Sequence, residues 1–479
     1  MQIPRDTGTF HIIGIGGIGM SAIAEILLAK GHSVQGSDQK ESANVRRLRA
    51  KGVRVFIGHD PINLVGARNI VISTAVKRGN PELEAARAKG LPIIRRAEML
   101  AELMRLYSTV SVTGTHGKTT TTSLIATIFE KAELDPTVIT GGIINAWGSN
   151  ARLGKGKWMI VEADESDGTF ARIPTEIGVV TNIDPEHLDY FKTVENMHRE
   201  FEAFYRGIPF YGLAVTCVDH PVVRDMIERL ELRRDGRRLL TYGTSEAADL
   251  RLTGLRFEGF TTIFDAALGE RVKGGARVLK SWSIPVPGQH NALNTLAAIA
   301  VAAEAGIPDD VIRAGLLGFS GVKRRFQPAG QWNGIQIYDD YGHHPAEIAA
   351  VLAAARAGAR GRVIAIVEPH RYTRVRDLFG EFCACFREAD SVIVAPLYSA
   401  GEAPIEGIDQ HSLADGIRSK GHAAVTSIDN PHDAVSLIRR YGRPGDMVIF
   451  LGAGSSTEWA HGFAERLGAG EPRRAGGAM

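Results

Sequence analysis

Residues 110–122 read VSVTGTHGKTTTT, an apolar β-type run followed by a glycine-containing turn and the start of a helical pattern. A phosphate-binding loop usually has the spacing G-x-x-x-x-G-K-[ST], but here the glycine before Gly117 is Gly114, and Val112 occupies the position of the first motif glycine. Backbone N–H groups of residues 114–119, at the start of a helix, would still form a nest for an anion. The stretch therefore predicts a strand, loop and helix unit with a shortened nucleotide-binding loop.

The residue types in this turn suit a nucleoside triphosphate. Lys118 would neutralise phosphate oxygens, and the hydroxyl of Thr119 would be a ligand for Mg²⁺. A Gly-Lys-Thr sequence also occurs by chance, but its place between a strand and a helix favours nucleotide binding. The residues predicted to bind ATP are Gly114, Thr115, His116, Gly117, Lys118, Thr119 and Thr120.

Buried-strand runs and helical patterns alternate on both sides of this loop, which is typical of an α/β protein with parallel sheets. Strand patterns begin near Thr9 in a first block, continue through WMIVE and IGVVTNI in a second, and return in GIQIYDD and DMVIFLGAG in a third. A chain of 479 residues is long enough for several domains. We predict domains at residues 1–107, 108–320 and 321–468, a small antiparallel patch at about 240–285, and a frayed, flexible tail at 469–479.

The composition excludes several classes of protein. The 56 basic and 54 acidic side chains leave a net charge of +2, so we expect no nucleic-acid partner and no attraction to an anionic membrane. The apolar run at residues 10–29 contains glycines and Glu25, which argues against a signal peptide or a membrane span. Three cysteines are too few for a disulfide framework. These features predict a cytoplasmic protein.

The first block contains GIGGIG, in which Gly14, Gly16 and Gly19 match the dinucleotide pattern G-x-G-x-x-G. Asp38 follows the glycines at the sequence spacing that is typical of the carboxylate that accepts a hydrogen bond from a ribose hydroxyl. The glycines would let a diphosphate approach the backbone at a helix N-terminus. NAD and a uridine diphosphate sugar present similar groups, so the pattern leaves both ligands open. A tight turn that binds no ligand is a further alternative.

Polar side chains follow two strands of the second block. Glu162 ends WMIVE, and His187 lies in NIDPEHLDYF just after IGVVTNI. Because the carboxyl ends of neighbouring parallel strands meet at one edge of a sheet, we expect both residues beside the phosphate loop. We predict that Glu162 and His187 are Mg²⁺ ligands together with Thr119. The pattern leaves open whether further acidic residues take part, namely Asp164, Glu165, Asp167 and Asp184.

Seven motifs occur in a fixed order and together resemble the Mur ligase family of peptidoglycan synthesis: TGTHGKTT, EADESD, NIDPEHLDY, HNALN, KRRFQ, YDDYGHHP and PHRYTRVRDLF. The resemblance extends from about residue 9 to about residue 465, and the family has the same shortened ATP loop. It implies an N-terminal Rossmann-like domain for a UDP-sugar, a central P-loop ATPase-like α/β domain, and a C-terminal Rossmann-like domain that brings an amino acid.

Within the family, the motifs are most similar to the branch that joins L-alanine to UDP-N-acetylmuramate. This resemblance implies ATP and two Mg²⁺ ions, activation of the muramate carboxylate as an acyl phosphate, and attack by the amine of alanine. It implies small-molecule partners only, in a monomer or a homodimer. Residues 193–205 contain no lysine, which agrees with this branch, because a carbamylated lysine in that segment belongs to other Mur ligases.

The resemblance also implies roles for individual residues. Lys118, Glu162, His187 and Arg325 would be catalytic, with Arg325 at the γ-phosphate. Asn294 would contact adenine, and Asp340 would contact the ribose across the domain boundary. The residues expected at the UDP-sugar are Gly14, Gly16, Gly17, Gly19 and Asp38, and those expected at the amino acid are Tyr341, His343, His370, Arg371 and Arg374.

Three alternative functions remain open. A nicotinamide dehydrogenase would explain GIGGIG but leaves the phosphate loop without a role. A regulatory NTPase would explain the phosphate loop but not two flanking Rossmann-like domains. Within the family, the ligase that attaches a recycled tripeptide to UDP-N-acetylmuramate shares most motifs, although GIGGIGM is closer to the alanine-adding branch.

Overall fold

A computed structural model of the chain describes residues 7–73, 75–166 and 168–469. The tail predicted at 469–479 therefore lies, from residue 470 onward, outside the described residues, and so does Asp167. Within the described ranges, no helix combines the length and the apolar character that crossing a membrane requires. The fold is α/β and contains three sheets, as the sequence predicts.

The first sheet is built from short alternating strands and helices. Its elements are β1 (Thr9–Ile13), α1 (Ile18–Ala29), β2 (Val34–Asp38), α2 (Ala43–Ala50), β3 (Arg54–Ile57), β4 (Ala67–Ile72), α3 (Pro81–Ala88), β5 (Ile93–Arg95) and α4 (Arg96–Met104). The strand order is β3-β2-β1-β4-β5, and all neighbours are parallel. The order reverses between β1 and β4, which is where such sheets bind ligands. The glycine-rich loop follows β1 and therefore lies at this point.

A buried polar network joins this sheet to α3. The carboxylate of Glu82, which is fully buried, accepts hydrogen bonds from Ser37 Oγ at 2.5 Å and from Asn63 Nδ2 at 2.6 Å. His11 Nε2 lies 3.3 Å from the same carboxylate. Burial alone would raise the pKa of Glu82, but these hydrogen bonds outweigh burial and lower the pKa to about 2. Glu82 is therefore ionised in the folded protein and fixes the segment that contains Asn63.

The substitution Glu82→Gln is expected to reduce the free energy of unfolding at pH 7 by up to about 3 kcal/mol, because the pKa falls from 4.5 to about 2 on folding. A carboxylate with a depressed folded pKa stabilises the protein above its unfolded pKa. This contribution is lost as the pH falls from 4.5 towards 2. The difference between the variant and the wild type should therefore narrow below pH 4.5, and urea unfolding at pH 7 and at about pH 3.5 would measure it.

Glu84→Gln is the matched control, because Glu84 lies on the same helix and pairs at the surface with Arg87. This control should change the free energy of unfolding by less than about 1 kcal/mol. If the effect of Glu82→Gln stayed constant between the two pH values, the charge of the carboxylate would not be what stabilises the network.

The second sheet has ten strands. Its elements are β6 (Ser108–Thr113), α5 (Lys118–Lys131), β7 (Thr137–Ile144), β8 (Ser149–Arg152), β9 (Trp158–Glu162), β10 (Ile177–Val180), α6 (Leu188–Phe191), α7 (Val194–Gly207), β11 (Leu213–Cys217), α8 (Pro221–Arg229), β12 (Leu239–Gly243), β13 (Leu250–Glu258), β14 (Thr261–Leu268), β15 (Arg277–Ile284), α9 (Gln289–Glu304) and α10 (Asp309–Leu317). The strand order is β15-β14-β13-β12-β11-β10-β6-β9-β7-β8.

The middle of this sheet positions the chemistry. β6 lies between β10 and β9 and is parallel to both, so the three strands end at the same edge. The shortened nucleotide-binding loop predicted from the sequence, called the phosphate-type loop below, follows β6. Glu162 is the last residue of β9, and His187 lies shortly after β10. At one end of the sheet, β13 and β14 are joined by two residues, a connection that only antiparallel neighbours allow. This hairpin lies within the antiparallel patch that the sequence predicts.

The third sheet has six strands. Its elements are β16 (Gln327–Trp332), β17 (Ile335–Asp340), α11 (Pro345–Gly358), β18 (Val363–Val367), α12 (Tyr372–Asp377), α13 (Phe379–Ala384), β19 (Ser391–Val394), α14 (Gln410–Ser419), β20 (Val425–Ser427), α15 (Asp433–Tyr441), β21 (Met447–Leu451) and α16 (Ser456–Gly468). The strand order is β16-β17-β21-β18-β19-β20. β16 pairs with β17 in antiparallel fashion, and the remaining pairs are parallel.

The described chain forms two compact units. The first contains the described residues of Met1–Thr253, Asp265–Lys280 and Leu293–Ser320, and the second contains those of Gly254–Phe264, Ser281–Ala292 and Gly321–Met479. In the first unit, α1 packs against β7 and β8, so a helix that follows the first strand of the first sheet contacts the ten-stranded sheet. In the second unit, the hairpin residue Phe260 packs on Phe326 and Tyr338, with ring centroids 5.4 and 5.2 Å away.

Candidate active site

The phosphate-type loop joins β6 to α5, as the sequence predicts. Gly114 (φ 125°) and Gly117 (φ 83°) both have a left-handed backbone conformation. A Cβ atom at Gly114 would lie 2.1 Å from Thr181 Oγ1 and 2.9 Å from the carbonyl oxygen of Asn182, so this position requires glycine. Gly117 is the N-cap of α5. The loop therefore ends at a helix N-terminus, where unpaired N–H groups attract an anion.

The segment after β10 holds this loop in place. The N–H of His116 donates to Asn182 Oδ1 at 2.7 Å, and Thr181 Oγ1 donates to the carbonyl oxygen of His116 at 2.6 Å. The N–H of Asp184 donates to Thr115 Oγ1 at 2.8 Å. The Asp184 carboxylate lies 3.2 Å from His116 Nε2. The sequence left the role of Asp184 open, and the structure shows that it supports the loop.

Lys118, the first residue of α5, is bound by acceptors of the protein itself. Its Nζ donates to the carbonyl oxygens of Gly114 at 2.6 Å and Thr115 at 2.9 Å. The same nitrogen lies 2.9 Å from Oε1 and 2.7 Å from Oε2 of Glu165. Burial by itself would lower the pKa of Lys118, but neighbouring carboxylates, Glu165 foremost, raise the pKa above its usual range. The side chain is therefore a stable cation beside the loop.

Glu165 is 3% exposed and depends on this lysine for its charge. Burial raises the pKa of Glu165, and the ammonium group of Lys118 offsets only part of that rise. We interpret the pair as ionised from its geometry, because Lys118 Nζ lies within 2.9 Å of both carboxylate oxygens. EADESD therefore contributes Glu165 as well as Glu162, although the sequence pattern alone did not distinguish Glu165 from its acidic neighbours.

Thr119 and Glu162 form a second part of the site. Thr119 Oγ1 donates to Glu162 Oε1 at 3.0 Å. The other carboxylate oxygen accepts hydrogen bonds from Thr140 Oγ1 at 2.8 Å and from the N–H of Gly141 at 2.6 Å. The adjacent ends of β6 and β9 bring these residues together. Hydroxyl and carboxylate oxygens are the ligands that Mg²⁺ prefers, so the pair fits this ion.

His187 belongs to a neighbouring group of ligand atoms. One atom each of His187, Glu165 and Glu186 lies within 4.8 Å of the others. His187 is the N-cap of α6 and has a left-handed backbone (φ 57°), and its Nε2 is 3.7 Å from Glu165 Oε1. One imidazole and two carboxylates can bind a divalent cation. Glu165 connects this group to Lys118 and thus to the phosphate-type loop.

The glycine-rich loop of the first sheet has a comparable construction. Gly14 has a left-handed backbone (φ 76°), and Gly17 is the N-cap of α1. The N–H of Gly16 donates to Asp38 Oδ2 at 2.8 Å, and a Cβ atom at Gly16 would lie 2.9 Å from that oxygen. The structure therefore brings the predicted glycines and Asp38 together, with the carboxylate fixing the loop from the end of β2.

A cavity of about 240 Å³ leads from this loop to the centre of the second sheet. Gly19 and Arg96 line it on the side of the first sheet, and Glu162 and Asp164 line it on the side of the second. A Cβ atom at Gly19 would lie 3.1 Å from Arg96 Nη1, so the guanidinium group lies against the glycine. Sequence analysis missed Arg96, because it lies at the start of α4, far from the glycine motif along the chain.

The predicted residue Asn294 also lies beside the phosphate-type loop. A Cβ atom at Gly117 would be 2.7 Å from Asn294 Oδ1, so α9 places a buried amide at the start of α5. Thr120 lies in the first turn of α5 and is partly buried. Contact of Asn294 with adenine stays a prediction.

In the second unit, Arg325 and Asp340 lie near the start of the third sheet. The guanidinium carbon of Arg325 is 5.2 Å from the ring centroid of Tyr341. Asp340 accepts hydrogen bonds from the N–H groups of Phe326 and Gly342, both at 2.7 Å. Burial raises the pKa of Asp340 to about 6, although these bonds and the charge of Arg325 act in the opposite direction. The carboxylate therefore fixes the backbone on both sides of β16 and β17.

The residues predicted to bind the amino acid lie together in this unit. The ring centroids of Tyr341 and His343 are 5.0 Å apart, and those of His343 and His370 are 5.6 Å apart. Arg374 Nη1 lies 3.1 Å from His370 Nδ1. Arg371 precedes α12 with a left-handed backbone (φ 68°). The segment after β17 thus meets the segment after β18 at His343 and His370, and Arg374 lies beside His370.

Two residues that sequence analysis missed support this cluster. The ring of Tyr398 stacks on His370 with centroids 5.4 Å apart and an interplanar angle of 9°. Glu402 Oε1 lies 3.7 Å from Arg371 Nε and accepts a hydrogen bond from Thr373 Oγ1 at 2.8 Å. Both residues lie in the loop after β19, where no motif marks them. Their contribution depends on the fold of the loop rather than on a local pattern.

Comparison with protein families covers most of the chain. The model for the Mur ligase family, catalytic domain, matches residues 9–108, and that for the Mur ligase middle domain matches residues 112–302. The model for the Mur ligase, glutamate ligase domain, matches residues 324–454.

Individual relatives are similar along their full length. A UDP-N-acetylmuramate–L-alanine ligase of Azorhizobium caulinodans is 55% identical over 471 residues, which cover 98% of this chain and 100% of that protein. The ligase of the same name from Parvibaculum lavamentivorans is 57% identical over 464 residues, with 97% and 94% covered. The solved UDP-N-acetylmuramate-alanine ligase of Thermotoga maritima has a TM-score of 0.78 at 26% identity, with 97% of this chain and 100% of that chain covered.

Proposed function

The chain belongs to the Mur ligase family, and we propose that it is an ATP-dependent ligase that joins L-alanine to the carboxylate of UDP-N-acetylmuramate. Sequence identities of 55% and 57% to UDP-N-acetylmuramate–L-alanine ligases, over nearly the whole chain, support this substrate pair. One structural observation carries the proposal. Lys118 lies at the phosphate-type loop beside the hydrogen-bonded pair of Thr119 and Glu162, and a cavity leads from Glu162 to the glycine-rich loop at Gly19.

The reaction has two steps. A carboxylate oxygen of the muramate attacks the γ-phosphorus of ATP, the bond from that phosphorus to the β,γ-bridging oxygen breaks, and ADP leaves. The amine of alanine then attacks the carbonyl carbon of the acyl phosphate, loses a proton and expels phosphate as the amide forms. The first step brings two anions together, so the protein must supply positive charge where they meet.

The central residues meet this demand. Lys118 and the N-terminus of α5 place positive charge at the terminal phosphate. Magnesium held by Thr119 and Glu162, and a second ion near His187, would neutralise further phosphate charge. Because Glu162 is already fixed by two further hydrogen bonds, its carboxylate needs little rearrangement to act as a ligand.

The first sheet would hold the UDP-sugar. We place its diphosphate beside the glycine-rich loop at the N-terminus of α1, where the helix dipole favours an anion. From there the cavity lined by Arg96 would guide the acidic substituent of the sugar towards Glu162. A nicotinamide dehydrogenase would have no use for a cavity that reaches Glu162, the carboxylate bonded to Thr119 of the phosphate-type loop, so this feature favours the UDP-sugar over NAD.

The second unit would hold the amino acid. The α-carboxylate of alanine would bind Arg371 and Arg374, with Tyr341, His343 and His370 lining the pocket. The roles proposed for Asn294 at adenine, Arg325 at the γ-phosphate and Asp340 at the ribose rest on the family motifs. All three cysteines are free thiols, which supports the proposed cytoplasmic location.

Arg374→Ala should raise the KM for L-alanine by about 10- to 100-fold, because a charge-assisted hydrogen bond to the α-carboxylate is lost. The KM for ATP should stay unchanged, since the nucleotide binds at the phosphate loop. Steady-state kinetics with each substrate varied in turn would measure both constants.

Arg376→Ala is the matched control for this experiment. Arg376 lies on the same short helix, but it is exposed and pairs with its neighbour Asp377. Its removal should leave both constants unchanged. An equal rise in the KM for alanine in the two variants would mean that Arg374 acts only through the general charge of the helix.

The substrate pair is tested by phosphate release with UDP-N-acetylmuramate, ATP and a panel of L-alanine, L-serine, glycine and the recycled tripeptide. We expect release with L-alanine. Release with the tripeptide alone would assign the chain to the recycling branch, and ATP turnover without any UDP-sugar would favour a regulatory NTPase.

The acyl-phosphate intermediate is tested with oxygen-18 in the muramate carboxylate. This isotope should appear in the released phosphate, because the acyl phosphate transfers that oxygen.

A further inference from the structure

The contacts of Lys118 raise the question of how a nucleotide gains access to it. An ammonium group has three N–H donors. In this structure Nζ has three acceptor groups within 2.9 Å, namely the carbonyl oxygens of Gly114 and Thr115 and the carboxylate of Glu165. A phosphate oxygen that binds Nζ must therefore replace one of them. The two carbonyl oxygens belong to the loop itself, whereas Glu165 reaches Lys118 from the segment after β9.

Electrostatics identifies which acceptor leaves. Glu165 is negatively charged like the incoming phosphate, so the two repel each other when both face the same ammonium group. The released carboxylate is 3% exposed, and a buried charge without a partner is strongly destabilising. The neighbours of Glu165 are His187, whose Nε2 is 3.7 Å away, and Glu186, in a group of ligand atoms that lie within 4.8 Å of one another. A divalent cation there would balance the released carboxylate.

We propose that Glu165 is the resting partner of Lys118, that the terminal phosphate of the nucleotide displaces it, and that the released carboxylate then shares a divalent cation with His187 and Glu186. This inference rests on the proposed function, because it assumes that the loop binds a triphosphate. Glu165 is then a positioning residue that couples nucleotide binding to metal binding. Without metal, Glu165 competes with the nucleotide; with metal, it helps to hold the ion.

The substitution Glu165→Gln should change two binding affinities in opposite directions. The variant removes the charge and keeps the shape of the side chain. It should bind the non-hydrolysable analogue AMP-PNP about 10-fold more tightly than the wild type in EDTA, because the competing carboxylate is gone. It should bind Mn²⁺ about 10-fold more weakly in the presence of the analogue. Calorimetry with AMP-PNP and electron paramagnetic resonance of free Mn²⁺ would measure the two effects.

Glu186→Gln is the matched control. Glu186 shares the group around His187, but the carboxylate that lies within 2.9 Å of Lys118 Nζ is that of Glu165. This control should weaken Mn²⁺ binding without tightening the binding of AMP-PNP in EDTA. A purely structural role of Glu165 would weaken both ligands together, which the proposed exchange does not.

The outcomes separate this inference from the proposed function. If wild-type protein binds AMP-PNP and Glu165→Gln leaves metal-free binding unchanged or weaker, the exchange is wrong while the nucleotide site stands. If the wild type binds no AMP-PNP with or without Mn²⁺, the proposed function fails and this inference fails with it. Should circular dichroism show that Glu165→Gln is unfolded, Glu165→Asp decides. Its shorter side chain should give a smaller tightening in EDTA, and no tightening would overturn the exchange.

Discussion

Lys118→Ala is expected to reduce the rate of alanine-dependent phosphate release by about 10³-fold. The side chain supplies a buried cation at the phosphate-type loop, and water cannot replace that charge in a site closed by protein. The variant also leaves Glu165 without its ammonium partner, so negative charge accumulates where the terminal phosphate must bind. A coupled assay of phosphate release at saturating substrates would measure the loss.

Lys131→Ala is the control for this experiment. Lys131 ends the same helix and is exposed, so its removal changes the net charge equally without touching the loop. Phosphate release should stay close to the wild-type rate. If Lys118→Ala retained a rate within about tenfold of the wild type, less than 1.4 kcal/mol of the barrier would depend on the lysine, and its proposed role would be wrong.

Gly114→Ala is expected to weaken AMP-PNP binding by more than about 10²-fold. The added Cβ atom would lie 2.1 Å from Thr181 Oγ1 and 2.9 Å from the Asn182 carbonyl oxygen. The φ angle of 125° at this position is also unfavourable for alanine. The loop must therefore move away from the segment after β10. Since that segment also accepts hydrogen bonds from the N–H groups of Thr115 and His116, the loop that leads to the N-terminus of α5 is displaced. Calorimetric titration with Mg²⁺ and AMP-PNP would give the dissociation constant.

Gly236→Ala separates the clash from the backbone strain. Gly236 has a left-handed backbone (φ 72°), but a Cβ atom there meets no atom within 4 Å. This control should reduce the free energy of unfolding by about 1 kcal/mol and leave AMP-PNP binding unchanged. Equal nucleotide affinities in the two variants would mean that the tight contact with Thr181 does not shape the nucleotide site.

Much of the fold could be predicted from the sequence, because α/β units are locally encoded. Each strand of the central sheet is an apolar run of a few residues, and turns rich in glycine or polar residues separate it from a helical pattern. Which strands become neighbours within a sheet is harder to predict from the sequence. The position of β6 between β9 and β10 depends on packing over long sequence distances, yet it is what brings Glu162 and His187 to one edge.

The candidate site shows the same division. Lys118 and Thr119 could be predicted because a phosphate loop is a contiguous motif with a mechanism. Glu165 could not be separated from Asp164, since only the fold shows which carboxylate meets Lys118. Arg96 and Glu402 have no local signature, because each becomes relevant through a contact with a distant loop. The residue roles carried over from the family motifs stay predictions until the variants are measured.

The packing of Phe260 on Phe326 and Tyr338 sets where the polypeptide can be divided. A fragment that starts at Gly321 would retain every strand of the six-stranded sheet but lose the hairpin ring that covers two of its aromatic side chains. Those faces would be bare to water, and apolar surface of this kind promotes self-association. A soluble C-terminal fragment would therefore need polar replacements at the uncovered rings, or the hairpin supplied as a grafted loop.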